Sequence, residues 1–263
     1  MIAGFIGNNK SAHRAEVKYM KKDKNRIAHN PDYRIVTTED PTSPPAEAFR
    51  RLKVSLDFLS ADEKLQVMQV CSAVQGEGKT TVLLNLGAVY AEDGKKVLYI
   101  DLDLRRPRLH RAFKLENKIG VADYLAGYAK ADEIVKHAAP NIDLINCGMK
   151  APHPTTALGS QLLKNLVDDM RGKYDVILID CPPVLTVTDA CIISRLTDGT
   201  IYVVSGAVTE KGAAKEAMGI FKQNNIRVLG CVMTEVTPNM RTSSYYNNRY
   251  KYNNYAEKKT SEN

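Results

Sequence analysis

The chain of 263 residues contains no tryptophan, only five phenylalanines and no run of 18 apolar residues. The last absence excludes a membrane-spanning helix. The opening MIAGFIGNN has too short an apolar stretch, and no small-residue cleavage site, for a secretory signal. Five scattered cysteines, Cys71, Cys147, Cys181, Cys191 and Cys231, include no C-x-x-C pair. That odd count argues against a disulfide or zinc framework and for reduced thiols in a soluble, cytoplasmic protein. Intrinsic disorder is excluded for the whole: 44% of residues are hydrophobic and 25% charged, close to the globular average.

Negative charge is scarce at both ends. Residues 1–35 hold eight Lys/Arg against three acids, and residues 238–263 hold five against two. With a total of +7, residues 36–237 sum to −1. Basic ends suit an anionic surface or nucleic acid, and equally a solvated, poorly ordered terminus. The chain therefore divides into a basic mobile arm (1–36), a domain (37–237) and a disordered tyrosine-rich tail (238–263). Phe49, Leu52, Leu56 and Leu59 recur at 3/4 spacing, which predicts a helix over 45–60. Beyond it, apolar runs at 67–73, 96–101, 142–148, 174–180, 199–205 and 226–233 alternate with helical patterns at 80–94, 155–173, 189–197 and 210–224. Two short helical stretches fall around 120–138. Nearly all-apolar strands separated by helices predict a largely parallel sheet flanked by helices.

Between the first such strand and the next helix stands A-V-Q-G-E-G-K-T, Ala73 to Thr80. This is a P-loop in its A/G-x-x-x-x-G-K-S/T form, in the strand–loop–helix setting the motif requires. Gly76 and Gly78 let backbone N–H groups wrap phosphate oxygens. The helix that follows adds its positive end. The expected nucleotide contacts are Gly76, Glu77, Gly78, Lys79, Thr80 and Thr81, with Lys79 on the β/γ-phosphates of ATP and Thr80 on Mg²⁺. Two strands end in carboxylates: VLYIDLD in Asp101 and Asp103, VILID in Asp180. Ligands bind beyond the carboxyl ends of strands in such sheets. Asp101 and Asp180, with Thr80, are thus candidate Mg²⁺ anchors. Lys79, Asp101, Asp103 and Asp180 are the candidate catalytic set. Arg105, Arg106 and Arg108 follow directly; a solvated loop is the default expectation, and stabilising phosphate charge or receiving a partner's acidic group is the other reading.

These motifs, with DLDLRRP and ILIDCPP in order, resemble the Walker A, A′ and B motifs of bacterial protein-tyrosine kinases of capsule and exopolysaccharide synthesis, in their cytoplasmic Gram-positive form. The resemblance covers about residues 35–237. It implies a P-loop NTPase fold like that of the partition ATPases, and phosphorylation of tyrosine by ATP and Mg²⁺. Glu47, Arg50 and Lys53 resemble the E-x-x-R-x-x-R motif through which such kinases form rings; Lys53 replaces the last arginine, and a surface salt-bridge face is the plainer reading. Tyr245, Tyr246, Tyr250, Tyr252 and Tyr255 place five of the 13 tyrosines within 11 residues, among Asn, Arg, Ser and Lys. Such a segment cannot bury enough surface to fold alone. The resemblance implies that it is autophosphorylated in trans; a single-strand nucleic-acid tail is the other reading. The resemblance further implies a transmembrane activator that recruits the chain to the inner face of the membrane, a cognate phosphotyrosine phosphatase, and sugar-nucleotide or polysaccharide enzymes as substrates. No nucleic-acid partner is expected. The competing class is a non-kinase ATPase switch of the partition or division-site type, but its signature lysine is replaced by Val74. APHPTTALGS (151–160) carries no assigned role, and Thr234, where many relatives have Asn, leaves the adenine contacts open.

Overall fold

The computed structural model describes residues 3–6, 33–60, 64–149, 151 and 153–236. In chain order its elements are β1 (Ala3–Ile6), α1 (Val36–Glu39), α2 (Pro44–Leu59), β2 (Val67–Ser72), α3 (Lys79–Glu92), β3 (Val97–Asp101), α4 (Leu109–Ala112), α5 (Val121–Leu125), α6 (Ala131–Ile134), β4 (Val135–Ala139), β5 (Ile142–Ile145), α7 (Pro154–Leu158), α8 (Gln161–Arg171), β6 (Val176–Asp180), α9 (Asp189–Ile193), β7 (Gly199–Ser205), α10 (Lys211–Gln223) and β8 (Val228–Thr234). The strands form one sheet in the order β1-β8-β7-β2-β6-β3-β5-β4. Every pairing is parallel except β4 with β5. The largely parallel sheet flanked by helices is therefore the fold.

Strands β2, β3, β6 and β7 are buried at every residue, because helices cover both faces. Alternate side chains divide between two cores. Met68 and Val70 meet Phe49, Leu52, Leu83 and Leu86 of α2 and α3 on one face. Val67 and Cys71 join Leu163, Leu166, Ala217 and Phe221 of α8 and α10 on the other. All residues of α3 from Val82 to Tyr90 are buried, so this stretch of the helix that follows the P-loop lies in the core, apolar but for Asn85.

Three elements differ from expectation. The helix expected over 155–173 is two helices, because Gly159 and Ser160 interrupt it and the Ser160 hydroxyl accepts the Leu163 N–H (3.2 Å) as a new N-cap. Within 120–138, α5 and α6 form, but Val135–Ala139 leaves the helical path to become the antiparallel edge strand β4, where only Ala139 is buried. The third expected helix ends at Ile193 and continues as one 3₁₀ turn through Leu196. Inside the stretch read as an arm, Ala3–Ile6 pairs with β8, and Ile35 is only 4% exposed. The tail with Tyr245, Tyr246, Tyr250, Tyr252 and Tyr255 lies outside the described residues. Among the described residues no helix is long and apolar enough to cross a membrane.

Candidate active site

The order β2-β6-β3 brings the three motif-bearing strand ends side by side, and Asp101 and Asp180 are register partners. From β2 the chain turns through Gly76 (φ +90°) and Gly78 (φ +89°) into α3. Both angles lie in the left-handed region that glycine adopts without cost. A Cβ on Gly78 would also stand 3.0 Å from Thr234 Cγ2. Between them Glu77 is fully buried. Its carboxylate accepts the Val74 N–H (2.7 Å) and the Thr209 hydroxyl, while the Thr234 hydroxyl donates to its carbonyl (2.8 Å). The Glu77 side chain thus braces the loop from within and leaves only its backbone for a nucleotide. Thr234, at the end of β8, is a second brace.

A cavity of about 530 Å³ opens above the loop, lined by Gly76, Gly78, Lys79, Thr80 and Thr81 together with Asp103 and Asp180. Asp180 is 4% exposed. Its Oδ2 accepts the Thr80 hydroxyl (2.9 Å), and its Oδ1 is buried without a partner among the described residues. Burial pushes this carboxyl up to about 6, against the opposing pull of Lys79 and Thr80. Asp101 is fully buried and spends its oxygens on the N–H groups of Asp103 (3.2 Å), Arg108 (3.0 Å) and Leu109 (3.1 Å). Burial, then the nearby Asp180 charge, holds it well above the usual carboxylate range. Asp101 therefore folds the loop that follows it, whereas Asp103, half-buried, lines the cavity itself.

A threonine hydroxyl and an orphan carboxylate oxygen in one buried corner suit Mg²⁺, which takes one or two carboxylates and completes its shell with phosphate and water. Among the described residues no three His, Cys, Asp or Glu side chains gather into a metal site by themselves. The protein offers a partial shell that a nucleotide would complete.

Arg105, expected in a solvated loop, is instead pinned. Its Nε and Nη2 meet Asp189 Oδ2 (2.8 Å) and Oδ1 (3.2 Å), and Nη2 also donates to Thr155 Oγ1 (3.1 Å). The Asp189 side chain is fully buried. Thr155 donates to Asp189 as well (3.1 Å), so the 151–160 stretch does take part in the site. Arg106 donates to Gln75 Oε1 (2.6 Å) and bridges the arginine loop to the P-loop. Sequence reasoning missed Asp189 and Thr155, and also Tyr33, which lines the same cavity.

On α2, Glu47, Arg50 and Lys53 share one face, yet in the single chain much of it is already used. Arg50 donates to the Pro41 carbonyl (2.7 Å) and lies 3.6 Å from Glu92. Lys53 pairs with Asp57 (2.9 Å) and Asp93 and is only 16% exposed. Cys181 is buried and its thiol is pushed up by burial; it is a small filler next to Asp180.

The AAA domain family matches residues 66–212. The tyrosine-protein kinase YwqD of Bacillus subtilis is 34% identical over 200 residues, covering 76% of this chain and 84% of that protein. The tyrosine-protein kinase wzc of Salmonella typhi is 34% identical over 77% of this chain, which spans only 28% of that longer protein. Among solved structures, the kinase domain of Escherichia coli tyrosine kinase ETK aligns with a TM-score of 0.79 at 26% identity, covering 92% of this chain and 91% of that domain. With the phosphate loop, the paired strand-end carboxylates and these likenesses in hand, the chain belongs to the AAA domain family and, within it, to the bacterial tyrosine-protein kinases.

Proposed function

We propose that this chain transfers the γ-phosphoryl group of ATP to tyrosine hydroxyls, and that Tyr245, Tyr246, Tyr250, Tyr252 and Tyr255 of a neighbouring copy are its first substrates. The observation that carries this reading is one cavity holding a phosphate loop, an orphan carboxylate oxygen on Asp180 and a second, half-buried carboxylate on Asp103. Lys79 and the loop amides hold the β/γ-phosphates. Thr80 and Asp180 would hold Mg²⁺, which supplies charge neutralisation at the β- and γ-oxygens. Asp103 accepts the hydrogen bond of the incoming tyrosine; phenol has a pKa near 10, so a carboxylate that orients it and takes its proton aids transfer at neutral pH. Asp101 acts through the loop it folds and is a positioning residue. Arg105, held by Asp189, steadies the transferred phosphate. Catalysis of this kind rests on positioning and electrostatics.

Trans phosphorylation requires that copies meet. The α2 face of Glu47, Arg50 and Lys53 is the surface for a ring, in which exposed Glu47 would exchange its pairing with Arg50 and Arg51 of its own helix for one across the interface. Each phosphate adds about −1.5 to −2 charges to a basic tail, so phosphate on several of the tyrosines reverses its sign and releases the ring. A transmembrane activator would hold the chain at the cytoplasmic face of the membrane, a phosphotyrosine phosphatase would reset it, and enzymes of capsule or exopolysaccharide assembly would be further substrates. The test is the fate of labelled γ-phosphate from Mg·ATP. Phosphotyrosine on protein, lost in a folded Lys79→Met variant, is expected; free phosphate with none on protein would mark an ATPase switch instead.

A further inference from the structure

Tyr33 lines the cavity and serves neither the fold of the loop nor the phosphate chemistry described above. The backbone just after it is strapped to α3 by a single side chain. The Asn85 amide donates to the carbonyls of Arg34 (2.9 Å) and Thr81 (2.9 Å), and its oxygen accepts the Val36 N–H (2.7 Å). Asn85 is fully buried within an otherwise apolar stretch of helix. A buried amide is tolerated only when its groups are satisfied, and this one is satisfied largely by residues 34–36. The strap fastens that segment to the helix whose first turn carries Lys79, Thr80 and Thr81. Tyr33 is left half-buried, its ring against the α2/α3 core. It shares the lining of the cavity with Arg108, Arg111 and Asp180.

We propose that Tyr33 is an acceptor tyrosine, phosphorylated by the active site of its own chain. This rests on the kinase reading above. In the transfer, Tyr33 Oη bonds to the γ-phosphorus and the bond from that phosphorus to the β,γ-bridging oxygen breaks. ADP leaves with the electron pair, and the phenolic proton passes through Asp103 to solvent. Holding the acceptor within the cavity converts a bimolecular encounter into an intramolecular step. The product dianion would lie beside Arg108 and Arg111, where charge-assisted hydrogen bonds favour it. No other tyrosine of the described residues lines the cavity. Tyr99 spends its hydroxyl on the Leu84 carbonyl (2.8 Å) in the core, and Tyr128, 80% exposed, lies outside the cavity.

The test uses the full chain, stripped of phosphate, incubated with Mg·ATP over a hundredfold range of protein concentration. Mass spectrometry follows the tryptic peptide IAHNPDYR, residues 27–34, beside the tail peptides. Phosphate on Tyr33 is expected, with a rate constant that stays within twofold across the dilution and vanishes in Lys79→Met. Tail labelling should instead slow in proportion to dilution. Asn85→Ala should lower the Tyr33-to-tail labelling ratio at least tenfold; an unchanged ratio would overturn the strap's part. A labelled tail with a blank 27–34 peptide overturns the proposal and leaves the kinase reading standing. Tyr33 labelling that slows a hundredfold overturns the same-chain assignment, and no phosphotyrosine anywhere removes both.

Discussion

Replacing Asp180 by asparagine should remove the activity of the protein and make the variant's stability relative to wild type rise with pH. Asp180 is buried, one of its oxygens has no partner, and its carboxyl is raised from 3.8 to about 6. The folded state keeps this proton to higher pH than the unfolded chain. The group's contribution to stability is therefore complete below pH 3.8 and is lost as pH rises through 6. The shift of about 2 units corresponds to about 3 kcal/mol of destabilisation above pH 6 and roughly half that at pH 5. The asparagine side chain would keep an acceptor for the Thr80 hydroxyl and abolish the charge. Its amide hydrogens would lack a partner, at about 1–3 kcal/mol, but that cost does not vary with pH. Relief of Asp101, whose carboxyl is raised partly by Asp180, works in the same direction. The measurement is thermal unfolding of both proteins in EDTA at pH 5 and pH 8. The stability of Asp180→Asn relative to wild type should be higher at pH 8 than at pH 5 by about 1 kcal/mol, or about 2–4 °C in Tm. An offset equal at the two pH values, or larger at pH 5, would refute the buried-charge argument.

Two further outcomes follow from the braces around the cavity. Asp189→Ala removes the anchor of Arg105 and should lower kcat about tenfold with KM for ATP little changed, read by steady-state phosphotransfer; a raised KM with kcat unchanged would mean that Arg105 acts on ground-state binding alone. Glu77→Ala leaves the Val74 N–H and the Thr209 hydroxyl without their acceptor, at about 1–3 kcal/mol in urea unfolding. It should also weaken ATP binding at least tenfold by calorimetry, and intact affinity would show that the loop keeps its shape unaided.

Much of this architecture was legible because the signals are local. Val67–Ser72, Val97–Asp101 and Val176–Asp180 read as strands from apolar runs alone, and Gly76, Gly78, Lys79 and Thr80 read as a phosphate loop from spacing. What stayed hidden depends on contacts far apart in sequence. Arg105 meets Asp189 across 84 positions, and Asn85 meets Arg34 across 51, so neither pair leaves a periodic trace. Strand β4 was invisible for a different reason: at the sheet edge its sequence VKHAA buries little and continues the helical composition before it. Asp101 and Asp103 were indistinguishable two positions apart; burial and three backbone N–H donors separate them.

The most direct test of the central claim is a complementation experiment with two variants in one tube. One copy carries Lys79→Met with its tail intact; the other has an intact site and Tyr245, Tyr246, Tyr250, Tyr252 and Tyr255 changed to phenylalanine. After incubation with Mg·ATP and a candidate activator peptide, mass spectrometry should find phosphotyrosine on the tail of the Lys79→Met copy. Steady ATP hydrolysis with that tail unmodified would contradict the account.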